Sequence, residues 1–333
     1  MQTPFPQAFI DRLEQMVGTK KATTVLQALC TPRPISLRAN TLRISSQELY
    51  RQLTDLGISL EPVPWYEHAF IANVDKKTLT TTDAFKTGSF YIQNLSSMIP
   101  PLVLTPEPGE SVLDVAAAPG SKTSQMAMMM RNEGKIIANE LSRARMFKLQ
   151  KNLQEQSVTN VTLFNKPGEL LWRQFLNVFD KVLVDVPCSM EGRFSCDDPS
   201  TYEDWSLKEN KFLSTRQKGL LRSGIRCARV GATIVYSTCT LSPEENEEVV
   251  DWVLEKERET VELVPISIPH LSVEPGLTHF GKKNYAPQIV NCARIWPSIS
   301  PLLTEEGVGG GVAPMEGFFV AAFRKMKESE AVR

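Results

Sequence analysis

The 333-residue sequence lacks most of the features that would place it quickly. Among its six cysteines no two form a CxxC pair, and only three histidines are available to complete a metal site. Neither a zinc centre nor a disulfide framework is therefore expected. No apolar run approaches the roughly 18 residues that a membrane span needs. The first residues, MQTPFPQAFIDRLEQ, have no basic start and no long apolar stretch, so no secretory signal is expected and the cytoplasm is the expected compartment. Charge of one sign is also missing: 37 Lys and Arg stand against 38 Asp and Glu, a net charge of −1. Any footprint of nucleic-acid binding must then be local. Residues 1–60 carry Arg12, Lys20, Lys21, Arg33, Arg38, Arg43 and Arg51 against Asp11, Glu14, Glu48 and Asp55, an excess of 7 − 4 = 3 positive charges that a solvated helix face also produces.

What is present is the material of an ordinary globular protein, with 42% hydrophobic and 23% charged residues. The length calls for one large domain or two unequal ones. Residues 5 to about 30 read as two short helices with Phe9, Leu13 and Met16 on one face. A strand in PISLRAN, a helix opened by Ser45 and Ser46, and a strand near Phe70 predict a small α+β module over residues 1–95. Pro100, Pro101, Pro106 and Pro108 punctuate the next stretch of chain, and a main domain is assigned to residues 96–333. There, SVLDVAA, GKIIANE, VTLF, KVLVDVP and ATIVYST alternate with helical patterns, the signature of a doubly wound α/β sheet buried on both faces. GVGGGVAP at 307–314 reads as a loop before a last strand, GFFVAAFRK.

In VLDVAAAPGSKT, small residues and a glycine occupy a strand-to-helix turn, where a ligand can approach the backbone. The turn is not a P-loop, because Ala116 and Ser121 stand where GxxxxGK(S/T) needs glycine, and it is not GxGxxG. Glu140 ends the next strand 20 positions after Gly120, where an acid either holds a ribose diol or simply faces solvent. Two further strands end at Asp185-Val-Pro-Cys188 and Thr238-Cys239, which carries a carboxylate and two thiols to the ligand-binding edge of the sheet. Ser242, Pro243 and Glu245 fit a capping box, so a helix is expected to start there, its positive end favouring the Cys239 thiolate. The charge run from Glu244 to Glu262 reads as a solvated helix face with no catalytic part.

AAAPGSKT, DVPCSMEG and YSTCTLSPEENE, in this order and spacing, resemble three motifs of the Nol/Nop/Sun family of RNA cytosine-5 methyltransferases. Similarity continues through RPISLRANTL, YIQNLSS, RIWP and EGFFVAAF, over most of residues 30–325. The resemblance implies a Rossmann-like S-adenosylmethionine-dependent methyltransferase domain behind an RNA-facing module. It implies that Ala116, Ala117, Ala118, Pro119, Gly120, Ser121, Lys122, Glu140 and Asp185 surround the cofactor, with Arg145 in support. It makes Cys239 the nucleophile toward cytosine, Cys188 its assistant in product release, and Asp185 a catalytic group between cofactor and base. The implied partner is ribosomal or transfer RNA, with no metal, no membrane and a monomeric protein. The alternative is an inactive RNA-binding or ribosome-assembly factor of the same fold. Pro167 replaces a usual aspartate near the adenine, and Met190 a usual glycine.

Overall fold

The computed structural model describes residues 3–297 and 315–330; the glycine-rich run at 307–314 lies outside them. Helix α1 (Gln7–Leu29) is broken at Gly18, whose φ of 76° and ψ of 157° only glycine adopts freely, so the two expected short helices meet there. Phe9 and Leu13 are buried, with Phe5, against Phe194, Tyr202 and Trp296 of the larger domain. A four-stranded antiparallel sheet comes next, in the order β2-β3-β1-β4, made of β1 (Ile35–Ala39), β2 (Leu60–Pro62), β3 (Ala69–Ala72) and β4 (Phe90–Ile92). Helix α2 (Ser46–Asp55) starts where the Ser45 side chain accepts from the Glu48 N–H, and it buries Leu49 and Leu53 on this sheet. Two short helices, α3 (Lys76–Thr81) and α4 (Asp83–Lys86), precede β4.

Helix α5 (Leu95–Leu104) corrects the reading of the proline cluster, because it runs through Pro100 and Pro101. Each proline removes one helix donor. Burial of Met98, Ile99 and Leu104 with Val112, Leu183 and Val235 offsets that loss.

The main sheet has the order β11-β14-β15-β9-β8-β5-β6-β7. Its parallel part is β5 (Ser111–Asp114), β6 (Lys135–Asn139), β7 (Val161–Phe164), β8 (Phe179–Asp185) and β9 (Ala228–Thr238), with helices α6 (Ser121–Met129), α7 (Arg143–Glu155), α8 (Leu207–Cys227) and α9 (Glu247–Lys256). The sheet is mixed rather than parallel throughout. Strands β10 (Val261–Val264), β11 (Glu274–Pro275), β14 (Ala293–Ile295) and β15 (Phe318–Lys325) join it antiparallel, beyond a hairpin of β12 (His279–Phe280) and β13 (Lys283–Asn284). Strand order turns back at β5, which has β6 on one side and β8 on the other. A crevice beyond the carboxyl ends of β5 and β8 is the ligand position that such a switch creates.

Buried polar contacts dock the smaller sheet on the larger domain. Arg38, on β1, donates to Gln93 Oε1 at 3.0 Å and to Ser124 Oγ of α6 at 2.9 Å, and Asn40 donates to the Gly88 and Gln156 carbonyls. Cys30, at the end of α1, is bonded to Cys196, with Cα atoms 4.7 Å apart. No feature of the sequence pointed to this bond; it forms because the end of α1 packs on a loop 166 residues further along the chain. Cys227 and Cys292 are buried free thiols.

Candidate active site

The turn after β5 is shaped by its small residues. Gly120 has φ +103°, and a Cβ there would come within 2.9 Å of Leu149 Cδ1, so only glycine fits. Ala117 N–H donates to the Asn139 carbonyl at 2.8 Å, while the Asn139 side chain donates to the Val115 and Lys166 carbonyls. Asp114, at the end of β5, accepts from Thr123 Oγ1 at 2.7 Å, and burial pushes its carboxyl up to about 7. From the first turn of α6, Lys122 Nζ reaches Ser97 Oγ at 2.9 Å and Asp185 Oδ2 at 2.7 Å. Ser237 Oγ donates to the other oxygen of Asp185 at 2.7 Å, so the carboxylate at the end of β8 is held from two sides.

Strands β8 and β9 are parallel neighbours with Asp185 opposite Ser237, so the loops that leave them start side by side. That register brings Cys188 and Cys239, 51 residues apart, to a sulfur separation of 3.2 Å. The Cys239 N–H also points at the Cys188 sulfur, at 3.3 Å. Contact with Cys239, then burial, pushes the Cys188 thiol well above its usual range, which keeps it protonated.

Ala116, Ala117, Ala118, Pro119, Ser121, Lys122, Asp185, Cys188 and Cys239 line a single cavity of about 580 Å³. Arg145, Met190, Arg193, Glu316 and Phe318 complete parts of its wall. Gly120 and Glu140 are not on that wall. Gly120 supports the turn from behind, and Glu140 stands beyond Arg145, which donates to the Ala118 carbonyl at 2.6 Å and lies 3.6 Å from Glu140 Oε2. Pro167 is also off the wall, and Met190 is on it with a positive φ of 56°.

Residues 101–324 match the family described as 16S rRNA methyltransferase RsmB/F, and residues 5–95 match the N-terminal domain of 16S rRNA methyltransferase RsmF. The chain belongs to the RsmB/F family. Among relatives, ribosomal RNA small subunit methyltransferase F of Citrobacter koseri is 38% identical over 96% of this chain, and that of Escherichia coli (strain SE11) is 36% identical over 98%. The chain spans 63% and 65% of their respective lengths. A solved methyltransferase homologue from Pyrococcus horikoshii superposes with a TM-score of 0.81 at 35% identity, covering 97% of this chain and 96% of that one. The fold of NSun6 from the same organism, at 23% identity, gives the same TM-score.

This RsmB/F member also holds acids that sequence reasoning placed on the surface. Helix α9 begins at Glu247, not at Ser242, and Glu245 and Glu247 are buried. Glu245 does not fold back to cap a helix; it accepts from the Ser189 N–H at 3.1 Å, from Ser189 Oγ at 2.5 Å and from Gln217 Nε2 at 2.7 Å. Ser189 in turn contacts Thr240 Oγ1 at 2.7 Å. Glu245 therefore fixes the residue after Cys188 to the residue after Cys239. Glu247 is a buried partner of Arg294, which holds α9 to β14. A capping-box motif alone could not reveal this, because it matches a local pattern whichever way the glutamate turns.

Burial, then repulsion from Glu191, pushes the Glu245 carboxyl up to about 8. A native pKa above the unfolded one means that the folded chain holds an extra proton between about pH 4.5 and about 8. Stability from this group is complete below that window and is lost as pH rises through it. Thermal melting temperature is expected to fall across the window in the native protein and less steeply in Glu245→Gln, whose side chain does not ionise. Parallel curves for the two proteins would show that Glu245 does not titrate there.

Proposed function

We propose that this chain transfers a methyl group to carbon 5 of a cytosine in ribosomal RNA, through a covalent bond between Cys239 and carbon 6. The observation that carries the proposal is the pair of sulfurs 3.2 Å apart on the wall of the cavity that the Ala-Pro-Gly turn also lines. The names of the relatives make ribosomal RNA the favoured substrate. Residues 1–95 are the proposed RNA-facing module and 96–333 the catalytic domain.

The residues at the turn suit S-adenosylmethionine. Small side chains leave the backbone open, and the buried Glu140 Oε2, 3.6 Å from Arg145, accepts no hydrogen bond among the described residues, so a ribose hydroxyl can take it once Arg145 turns aside. Ala116–Lys122, Glu140 and Asp185 would hold the cofactor, with Arg145 between the turn and Glu140. When bound, it supplies an electrophilic methyl group on sulfur.

Carbon 5 of cytosine is a poor nucleophile until a thiolate adds to carbon 6. Cys239 supplies that thiolate, and as its sulfur bonds to carbon 6 the ring nitrogen takes a proton from water in the cavity. Asp185, braced by Lys122 and Ser237, orients the exocyclic amine and favours this protonated ring. After carbon 5 has gained the methyl group, a base removes the carbon 5 proton, the ring nitrogen returns its proton to water, the ring double bond re-forms and the carbon–sulfur bond breaks. Cys188, kept as a thiol, donates to the departing Cys239 sulfur, which leaves water in the cavity as the base.

The test is transfer from a methyl-labelled donor to 16S ribosomal RNA, with nucleoside analysis of the product. Label is expected in 5-methylcytidine. Label confined to another base, or to a ring nitrogen, would overturn the proposal.

A further inference from the structure

We infer that Arg193, oriented by Glu316, is a seat for a backbone phosphate of the RNA strand at the sulfur side of the cavity; this rests on the RNA reading above. Its starting point is rigid. Gly192 N–H donates to the Cys239 carbonyl at 3.0 Å, and Gly317 N–H donates to the Gly192 carbonyl at 3.0 Å. A Cβ on Gly192 would sit 2.2 Å from the Gly317 oxygen, so these backbones touch and Arg193 leaves the chain one residue from that contact. Glu316, almost buried, then lies 3.3 Å from Arg193 Nε and 3.3 Å from Arg33 Nη1.

Charge at this place does not balance. Glu316 is one carboxylate between two guanidinium groups, and Asn94, which also donates to it, is neutral. Arg33 uses its other terminal nitrogen on the Phe194 carbonyl at 2.9 Å. Among the described residues the terminal nitrogens of Arg193 have no protein acceptor, although the side chain lines the cavity with Cys188 and Cys239. One surplus positive charge thus faces the thiols. Of the other cations on this wall, Lys122 is paired with Asp185, Arg145 is turned to the Ala118 carbonyl, and Lys76 is an exposed residue of α3 in the smaller module. A planar fork fixed at Nε and open at its terminal nitrogens matches two oxygens of a phosphodiester. Arg193 is 48% exposed, so its terminal nitrogens are open to a strand running past the mouth of the cavity.

The test uses an oligocytidylate carrying one 5-fluorocytosine, and Arg193→Gln and Arg193→Lys variants. Filter binding over a salt series is expected to show about tenfold weaker binding for Arg193→Gln at low salt. The slope of log K on log salt should be shallower by about 0.7, one phosphate contact on a single strand. Arg193→Lys should recover the slope but only part of the affinity, because it keeps the charge and loses the fork. An unchanged slope in Arg193→Gln overturns the seat, including the case in which its affinity falls through a contact to the base carbonyl. Covalent capture of the fluorinated strand by the native protein, with S-adenosylmethionine added, reports the cytosine chemistry separately. A shallower slope without capture would keep the phosphate seat and remove the cytosine reading.

Discussion

Cys239→Ala is expected to reduce methyl transfer by on the order of 10⁴-fold or more, the scale on which removing a nucleophile acts. Alanine can hold neither the ring at carbon 6 nor the negative charge that the ring must receive, and Cys188 cannot replace it while its thiol stays protonated. The fold should be little affected, because Cys239 is only partly buried at the rim of the sheet, its side chain touches only Cys188 by hydrogen bonding among the described residues, and the backbone carbonyl that accepts from Gly192 N–H is kept in alanine. Melting temperature is therefore the control. Residual transfer within tenfold of the native protein, in a variant that melts normally, would place the nucleophile elsewhere.

Cys188→Ala is expected to separate attack from release. Attack needs only Cys239, but departure of that sulfur is helped by a thiol in contact with it at 3.2 Å. Turnover should fall roughly 10²-fold or more, the usual worth of a positioned proton donor, while a protein–RNA species persists on denaturing gels. The Cys188→Ala, Cys239→Ala double variant should show no such species. Unchanged turnover with no shifted band would remove Cys188 from the release step. A lost band together with lost turnover would instead make Cys188 part of the attack.

The sequence made much of this site legible, and for a physical reason. Apolar runs in KVLVDVP and ATIVYST are self-contained signals of buried strands, so the residues that end them, Asp185, Cys188 and Cys239, fall at one edge of a sheet whatever the rest of the chain does. The turn at Gly120 was legible from its small residues, which leave the backbone open to a ligand; that its glycine has a φ of +103° came from the structure. The Pro100–Pro101 pair misled because helix breaking is a local cost, and α5 offsets it with burial against strands that are distant in sequence. Glu140 sits at the end of its strand as the spacing required, yet Arg145 stands between it and the cavity, a matter of side-chain conformation on α7 that no spacing encodes.

Local sequence determined which residues end strands and which turns need glycine, because strand periodicity and backbone sterics act over a few residues. Only the tertiary structure decided which of those ends meet. The register of β8 on β9 set the two sulfurs 3.2 Å apart, and it put Glu245 against Ser189, 56 residues away. Packing between distant segments also decided that Glu245, Glu247 and Glu316 lie inside rather than on the surface. A glutamate reads the same in sequence whether solvent or an arginine satisfies it, and long-range packing alone makes that choice.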